Sequence, residues 1–165
     1  MPGTAGRIRM MQTEAVKSSR DDVLDLFDHV WQRFRQRMDG LGDEEWRWQP
    51  SHDERLTLRW RLQHITDFLR EERNAPWLGL VAEPDLPQAE AVDAATALSH
   101  VHQAFARWRG QLAGVPEEAF AEPVGPVAGR YGDATRRSFA LHIADELVHH
   151  AAEASLLRDL YLLRG

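Results

Sequence analysis

The chain has 165 residues, 43% hydrophobic and 28% charged, the balance of a soluble globular protein rather than a disordered or low-complexity one. Its formal net charge of −6 argues against a nucleic-acid partner, because phosphate binding depends on a basic surface. With no cysteine there is no disulfide, no thiolate nucleophile and no Cys-based zinc finger, so any metal must be held by histidine and carboxylate.

The length suits one domain with a real core. No run approaches the roughly 18 apolar residues that a membrane span needs. The opening "MPGTAGRIRMMQTEAVK" carries basic residues with no apolar stretch behind them, which predicts a cytoplasmic protein without a secretory signal. Residues 1–12 are expected to be a flexible N-terminus and 13–165 a single domain.

Four segments place apolar residues at the spacings of an amphipathic helix, and none alternates as a strand would. In the first, about 13 to 41, Val23, Phe27, Val30, Phe34, Met38 and Leu41 form one seam. "DGLGD" ends it, since Gly40 and Gly42 tolerate the left-handed conformation of a helix stop. The second runs from N-cap Thr57 to about Asn74, with Leu58, Leu62, Ile65 and Leu69 inward and Pro76 as its limit. The three-proline stretch "PWLGLVAEPDLPQ", 76 to 88, is longer than an antiparallel turn requires and suits a crossover.

The third helix, about 88 to 113, shows Ala91, Ala94, Leu98, Val101, Phe105, Trp108 and Leu112, with small residues near its start. A short helical turn at Pro116 to Phe120 and a Gly/Pro loop lead to the last helix, about Ala134 to Leu163. The expected fold is therefore all-α, a four-helix bundle, in which sites are built from side chains on facing helices. "RFRQR" and "RWR" read as solvated faces, and the six Trp as core or interface.

The last helix carries the densest chemistry, "HIADELVHHAAE". At about 100° per residue, taking Glu146 as origin, the apolar Phe139, Ile143, Leu157 and Tyr161 fall at about 20° to 60° and His150 at about 40° among them. Glu146 and His150 thus lie on or beside the core stripe, with His142 and His149 at about −40° and −60°, off its centre. A buried carboxylate beside a buried imidazole needs a partner. Being four residues apart, the two can share one cation or one hydrogen bond. A catalytic zinc takes three protein ligands, and His64, mid-helix in "RWRLQHITDFLREER" and close in projection to Arg61 and Phe68, is the best third.

Other chemistries are eliminated. The His-Glu-x-x-His pattern would need a histidine where Asp145 stands. Glu146-x-x-His149 matches half of a di-iron motif, with no second copy elsewhere in the chain. Neither a nucleophile elbow nor a phosphate loop is present. His29, His52, His100 and His102 read as ordinary surface or boundary residues.

Two stretches carry a family resemblance. "LTLRWRLQHITDFLREERNAPWLG" resembles the second helix of the DinB-like superfamily, with its single metal-binding histidine at His64. "RRSFALHIADELVHHAAEASLLRDLY" resembles the last helix, where a His or Glu is followed four residues later by a His, here Glu146 and His150. The superfamily includes the mycothiol-dependent maleylpyruvate isomerases and related thiol S-transferases, and the glutamate form of the pair is similar to the isomerase branch.

The resemblance spans about residues 20 to 163 and implies an up-down-down-up bundle with a long connection between helices 2 and 3. It further implies a divalent metal, zinc first with nickel or iron as alternatives, held by His64, Glu146 and His150, and His142, His149 and Glu153 lie close enough to orient ligands or move protons. Trp60, Arg61 and Arg70 could shape or charge the mouth. The chain read here ends at Gly165, without the additional C-terminal domain of the isomerases, which implies a stand-alone domain acting on another substrate. The implied function is a thiol-dependent S-transferase or isomerase acting on a small electrophilic substrate, with a small-molecule thiol as cosubstrate. The competing expectation is a non-catalytic, metal-binding or dimerising stress-related bundle. A homodimer is expected in addition, for which the Trp content and the Ala-rich third helix would provide an interface.

Overall fold

The computed structural model describes residues 17–82, 84 and 88–164, so the expected flexible segment 1–12 and the start of the first predicted helix lie outside the described residues. Every regular element among the described residues is helical, with one isolated bridge between Pro123 and Thr135. The helices are α1 (Ser19–Met38), α2 (Asp43–Arg47), α3 (Leu58–Arg70), α4 (Asn74–Trp77), α5 (Ala94–Gly114), α6 (Glu117–Phe120) and α7 (Arg136–Leu162), with 3-10 turns at Glu54–Leu56 and Pro126–Tyr131.

Local chemistry explains the ends of the long helices. Ser18, Thr57, Asp93 and Thr135 each sit in an extended conformation and accept a hydrogen bond from a first-turn amide, satisfying donors that a helix start leaves orphaned. After α1 the chain reverses at Gly40, whose φ of 68° is a left-handed value that costs glycine little. Gly42 instead precedes α2 in an extended conformation, with φ −97°.

Several helix boundaries differ from the sequence expectation, and α1 spans Ser19–Met38 rather than about 13 to 41. The second long helix stops at Arg70 rather than near Asn74, and Pro76 lies inside the separate short α4. There Asn74 is buried and donates its side-chain amide to the Phe68 carbonyl at 2.9 Å, a contact that takes up one of the free carbonyls at the end of α3. The third long helix starts at Ala94, where Asp93 supplies the cap, not near residue 88.

The four longest helices share one buried cluster, from Val23 on α1 to Leu157 on α7. Leu58, Leu62, Ile65 and Leu69 of α3 are all buried, as the spacing predicts. Trp108 is fully buried at the centre, its ring 5.7 Å from Phe27 and 5.9 Å from Phe139. Such tilted aromatic pairs contribute about 0.5–1.5 kcal/mol each beyond their buried area.

Pairwise contacts show which helices neighbour each other. Asp28 on α1 accepts a two-pronged bond from Arg109 on α5 at 2.6 and 2.7 Å, and Trp31 stacks on Phe105 at 4.1 Å. Arg158 on α7 reaches the Arg37 and Asp39 carbonyls at the end of α1 at 2.6 and 2.7 Å. It also grips the buried Glu45 of α2 at 2.7 and 3.0 Å. Arg59 on α3 pairs with Glu90 just ahead of α5. Arg61 on α3 meets Glu153 on α7, while His64, one turn further along α3, meets His150.

Candidate metal centre

Where α3 faces α7, the spacing-selected residues converge. His64, Glu146 and His150 offer ligand atoms that all lie within 4.8 Å of one another. Glu146 and His150 stand one turn apart on α7 and point the same way, and His64 faces them from the middle of α3. His150 is 7% exposed and sits among the core residues, whereas the Glu146 side chain is 36% exposed, at the margin of the stripe.

The three side chains are held from several directions. His150 Nε2 is 3.4 Å from Glu146 Oε2. The rings of His64 and His150 meet edge to face, with centres 4.4 Å apart. His64 is stacked on Trp60 at 4.6 Å and met edge-on by Phe68 at 5.8 Å. Burial first, and the neighbouring His150 second, lower the His64 pKa below its ordinary 6.5. That favours the neutral imidazole, the form that ligates a metal.

This donor set fits a divalent cation. With Zn–N and Zn–O bonds of about 2.0–2.2 Å, neighbouring ligand atoms of a tetrahedral site stand about 3.3–3.6 Å apart. The His150–Glu146 distance of 3.4 Å falls in that range, and every other pair of ligand atoms in the group lies within 4.8 Å.

Behind His150 lies a carboxylate. Glu153 Oε2 is 2.8 Å from His150 Nδ1 and 2.9 Å from an Arg61 guanidinium nitrogen. The exposed His149 brings Nε2 to within 3.3 Å of the other Glu153 oxygen, so His149, His150 and Glu153 form a second, overlapping group of donors. His142 is exposed and belongs to neither group.

Arg61 departs from the sequence expectation. In "RWR", Arg59 is exposed as a solvated face requires, but Arg61 is 9% exposed and lies inside the site, not at its mouth. The signal was its register: Arg61 is three residues after Leu58 and four before Ile65, on the apolar stripe itself. Arg70 bonds to Gln88. Trp46 and Trp108 are buried, and Trp31, Trp48, Trp60 and Trp77 pack on aromatic or imidazole rings of the same chain. Ala94, Ala97 and Ala104 of α5 are likewise buried within the chain.

A groove of about 520 Å³ runs along the α3–α5 side, walled by Trp46, Thr57, Arg59, Trp60, Thr66 and His100 among others. The three metal-ligand candidates do not line it. Trp60 is the shared wall, with the groove on one side and His64 stacked on it.

An all-helical fold with two histidines and a glutamate converging between two long helices defines a class of helical proteins with a possible metal site. The chain belongs to the DinB superfamily, whose family model matches residues 26–154. A solved structure described as the conserved protein of locus from Enterococcus faecalis has a similar fold, with a TM-score of 0.66 at 13% identity, over 88% of this chain and 98% of that one. No curated protein matches the sequence.

Proposed function

We propose that the protein is a divalent-metal-dependent enzyme in which His64, Glu146 and His150 hold the cation, zinc in the first place, and that it joins a small-molecule thiol to an electrophilic substrate. The convergence of these three donors from α3 and α7 carries this reading. A divalent cation bound there would supply Lewis acidity, making a thiol or water a stronger nucleophile at neutral pH. The chain has no cysteine, so the thiol must come from a cosubstrate. The groove beside Trp60, of about 520 Å³, is of a size to seat a small molecule, with the Trp60 indole between it and His64.

The reading includes a single up-down-down-up four-helix domain. Its support is the pattern of contacts: α1 meets α5 through Asp28–Arg109 and Trp31–Phe105, and α3 meets α7 through Arg61–Glu153 and His64–His150, both antiparallel. The ends of α1 and α7 share Arg158, and Arg59 at the start of α3 pairs with Glu90 just ahead of α5, as parallel neighbours would.

The test is elemental analysis of protein purified without chelator or affinity metal, wild type beside Glu146→Ala and His150→Ala. One metal ion per chain, lost in both variants, supports the reading and justifies assaying thiol consumption with electrophiles. No metal after incubation with zinc, nickel and iron salts overturns it.

A second reading, a homodimeric bundle, draws on the outer face of α7. Leu141, Val148, Leu156 and Leu160 are 44–58% exposed there at near-helical spacing, an apolar stripe that a second copy would cover. Among the described residues no helix is long and apolar enough to cross a membrane. Sedimentation analysis of wild type against Val148→Glu/Leu156→Glu decides it: a dimer that dissociates in the variant supports this reading, and a wild-type monomer ends it.

A further inference from the structure

The two donor groups around His150 compete for the same imidazole. One comprises His64, Glu146 and His150, the other His149, His150 and Glu153. His150 has only one lone pair on its neutral ring, so its tautomer decides which group can complete a site.

Its Nδ1 lies 2.8 Å from Glu153 Oε2 and 3.3 Å from an Arg61 nitrogen. Arg61 is only a donor, and an ionised carboxylate only an acceptor. The same Glu153 oxygen is 2.9 Å from Arg61, so it accepts from both Arg61 and a protonated Nδ1, and the 3.3 Å approach of the two nitrogens follows from that shared acceptor. A lone pair on Nδ1 would face the carboxylate oxygen at 2.8 Å without a proton between them. The lone pair therefore sits on Nε2, which is 3.4 Å from Glu146.

Charge points the same way. A cation shared by His149, His150 and Glu153 would lie against the Arg61 guanidinium, whose side chain is 11% exposed and poorly screened by water.

We propose that Arg61 and Glu153 are a positioning pair: Glu153 holds His150 as its Nδ1–H tautomer, and the charge of Arg61 directs a divalent cation to the His64–Glu146 side rather than the His149–Glu153 side. The steering half of this inference rests on the metal reading above. The tautomer half does not, because it concerns the metal-free protein. Partners of this kind that orient a ligating histidine change metal affinity about 10- to 100-fold when removed.

The experiment has two parts. Nitrogen-15 NMR of the metal-free, histidine-labelled full chain reads the His150 tautomer. Competition titration with zinc against a chromophoric chelator then compares wild type, Glu153→Gln, His64→Ala and His149→Ala, with near-ultraviolet circular dichroism checking that each is folded. The expected result is Nδ1–H at His150, zinc binding about 10- to 100-fold weaker in Glu153→Gln, abolished in His64→Ala and nearly unchanged in His149→Ala. An Nε2–H tautomer in the wild type overturns the positioning role whatever zinc does. Zinc lost in His149→Ala but kept in His64→Ala overturns the steering. Absence of zinc binding in the wild type refutes the metal reading and the steering with it, while the NMR result still decides the tautomer.

Discussion

Trp60 lies nearly parallel to His64, the planes 21° apart and the ring centres 4.6 Å from each other. An indole in face contact with an imidazole senses the charge on that ring, so protonation or metal ligation of His64 should alter Trp60 emission. Zinc titration should therefore change the tryptophan fluorescence of the wild type, and Trp60→Phe should remove most of that change although five other tryptophans remain. An equal change in Trp60→Phe would place the cation away from His64.

The same stack carries a pH prediction. Burial, then His150, lower the His64 pKa below 6.5, so in acid the unfolded chain takes up a proton that the folded chain resists. The contribution is a loss of stability that begins as pH falls through 6.5 and stops growing below the folded pKa. Urea unfolding of metal-free protein should show a drop between neutral and mildly acidic pH, and His64→Gln should make it smaller. A remainder is expected, because burial lowers the pKa of His100 and His102 in the same direction.

A bound cation should stabilise the fold. At a free concentration 100 times Kd the gain is about 2.7 kcal/mol, which for a chain of this size raises Tm by about 5–10 °C. Thermal unfolding with and without zinc should show this rise in the wild type and not in His64→Ala or His150→Ala. A rise of the same size in both variants would show that zinc binds elsewhere.

Away from the site, Glu45 and Arg158 form a two-pronged pair at 2.7 and 3.0 Å, their side chains 7% and 13% exposed. Arg158 also takes two carbonyls at the end of α1, so it ties α1, α2 and α7 together. Breaking such a buried pair from one side costs about 3–5 kcal/mol. Denaturant unfolding should give Glu45→Ala and Arg158→Ala losses of that size, and the double variant should lose less than the sum of the two.

Trp108 is fully buried against Phe27 and Phe139, and its indole N–H finds no acceptor among the described residues. Trp108→Ala should cost about 3–5 kcal/mol through the cavity it leaves. Trp108→Phe should cost clearly less, because it also removes a buried donor without a partner. Equal losses in unfolding midpoints would contradict this view of the core.

The sequence by itself determined the long helices and their inward faces, because a helix buries every third or fourth residue whatever its neighbours are, and hydroxyl and carboxylate caps act within one turn. Leu58, Leu62, Ile65 and Leu69 are buried as their spacing requires, and Thr57 and Thr135 cap α3 and α7. Glu146 and His150 were legible as a pair for the same reason, since one turn of one helix sets their distance. His64 was selected as the third ligand from its place beside the apolar stripe of its own helix, and the family resemblance strengthened the choice, because helix spacing cannot relate α3 to α7.

Only the tertiary structure decided what stands behind that pair. Arg61 and Glu153 are 92 positions apart, yet their charges meet at 2.9 Å against His150. Local periodicity carries no information about such a contact, and composition made Arg61 look like part of a solvated face. The stop of α3 at Arg70 was equally hidden, because the buried Asn74 that bonds back to the Phe68 carbonyl depends on how the chain packs rather than on the intrinsic preference of any one residue. Charge pairing between helices is a property of where they meet, so it arose only once α3 and α7 were packed together.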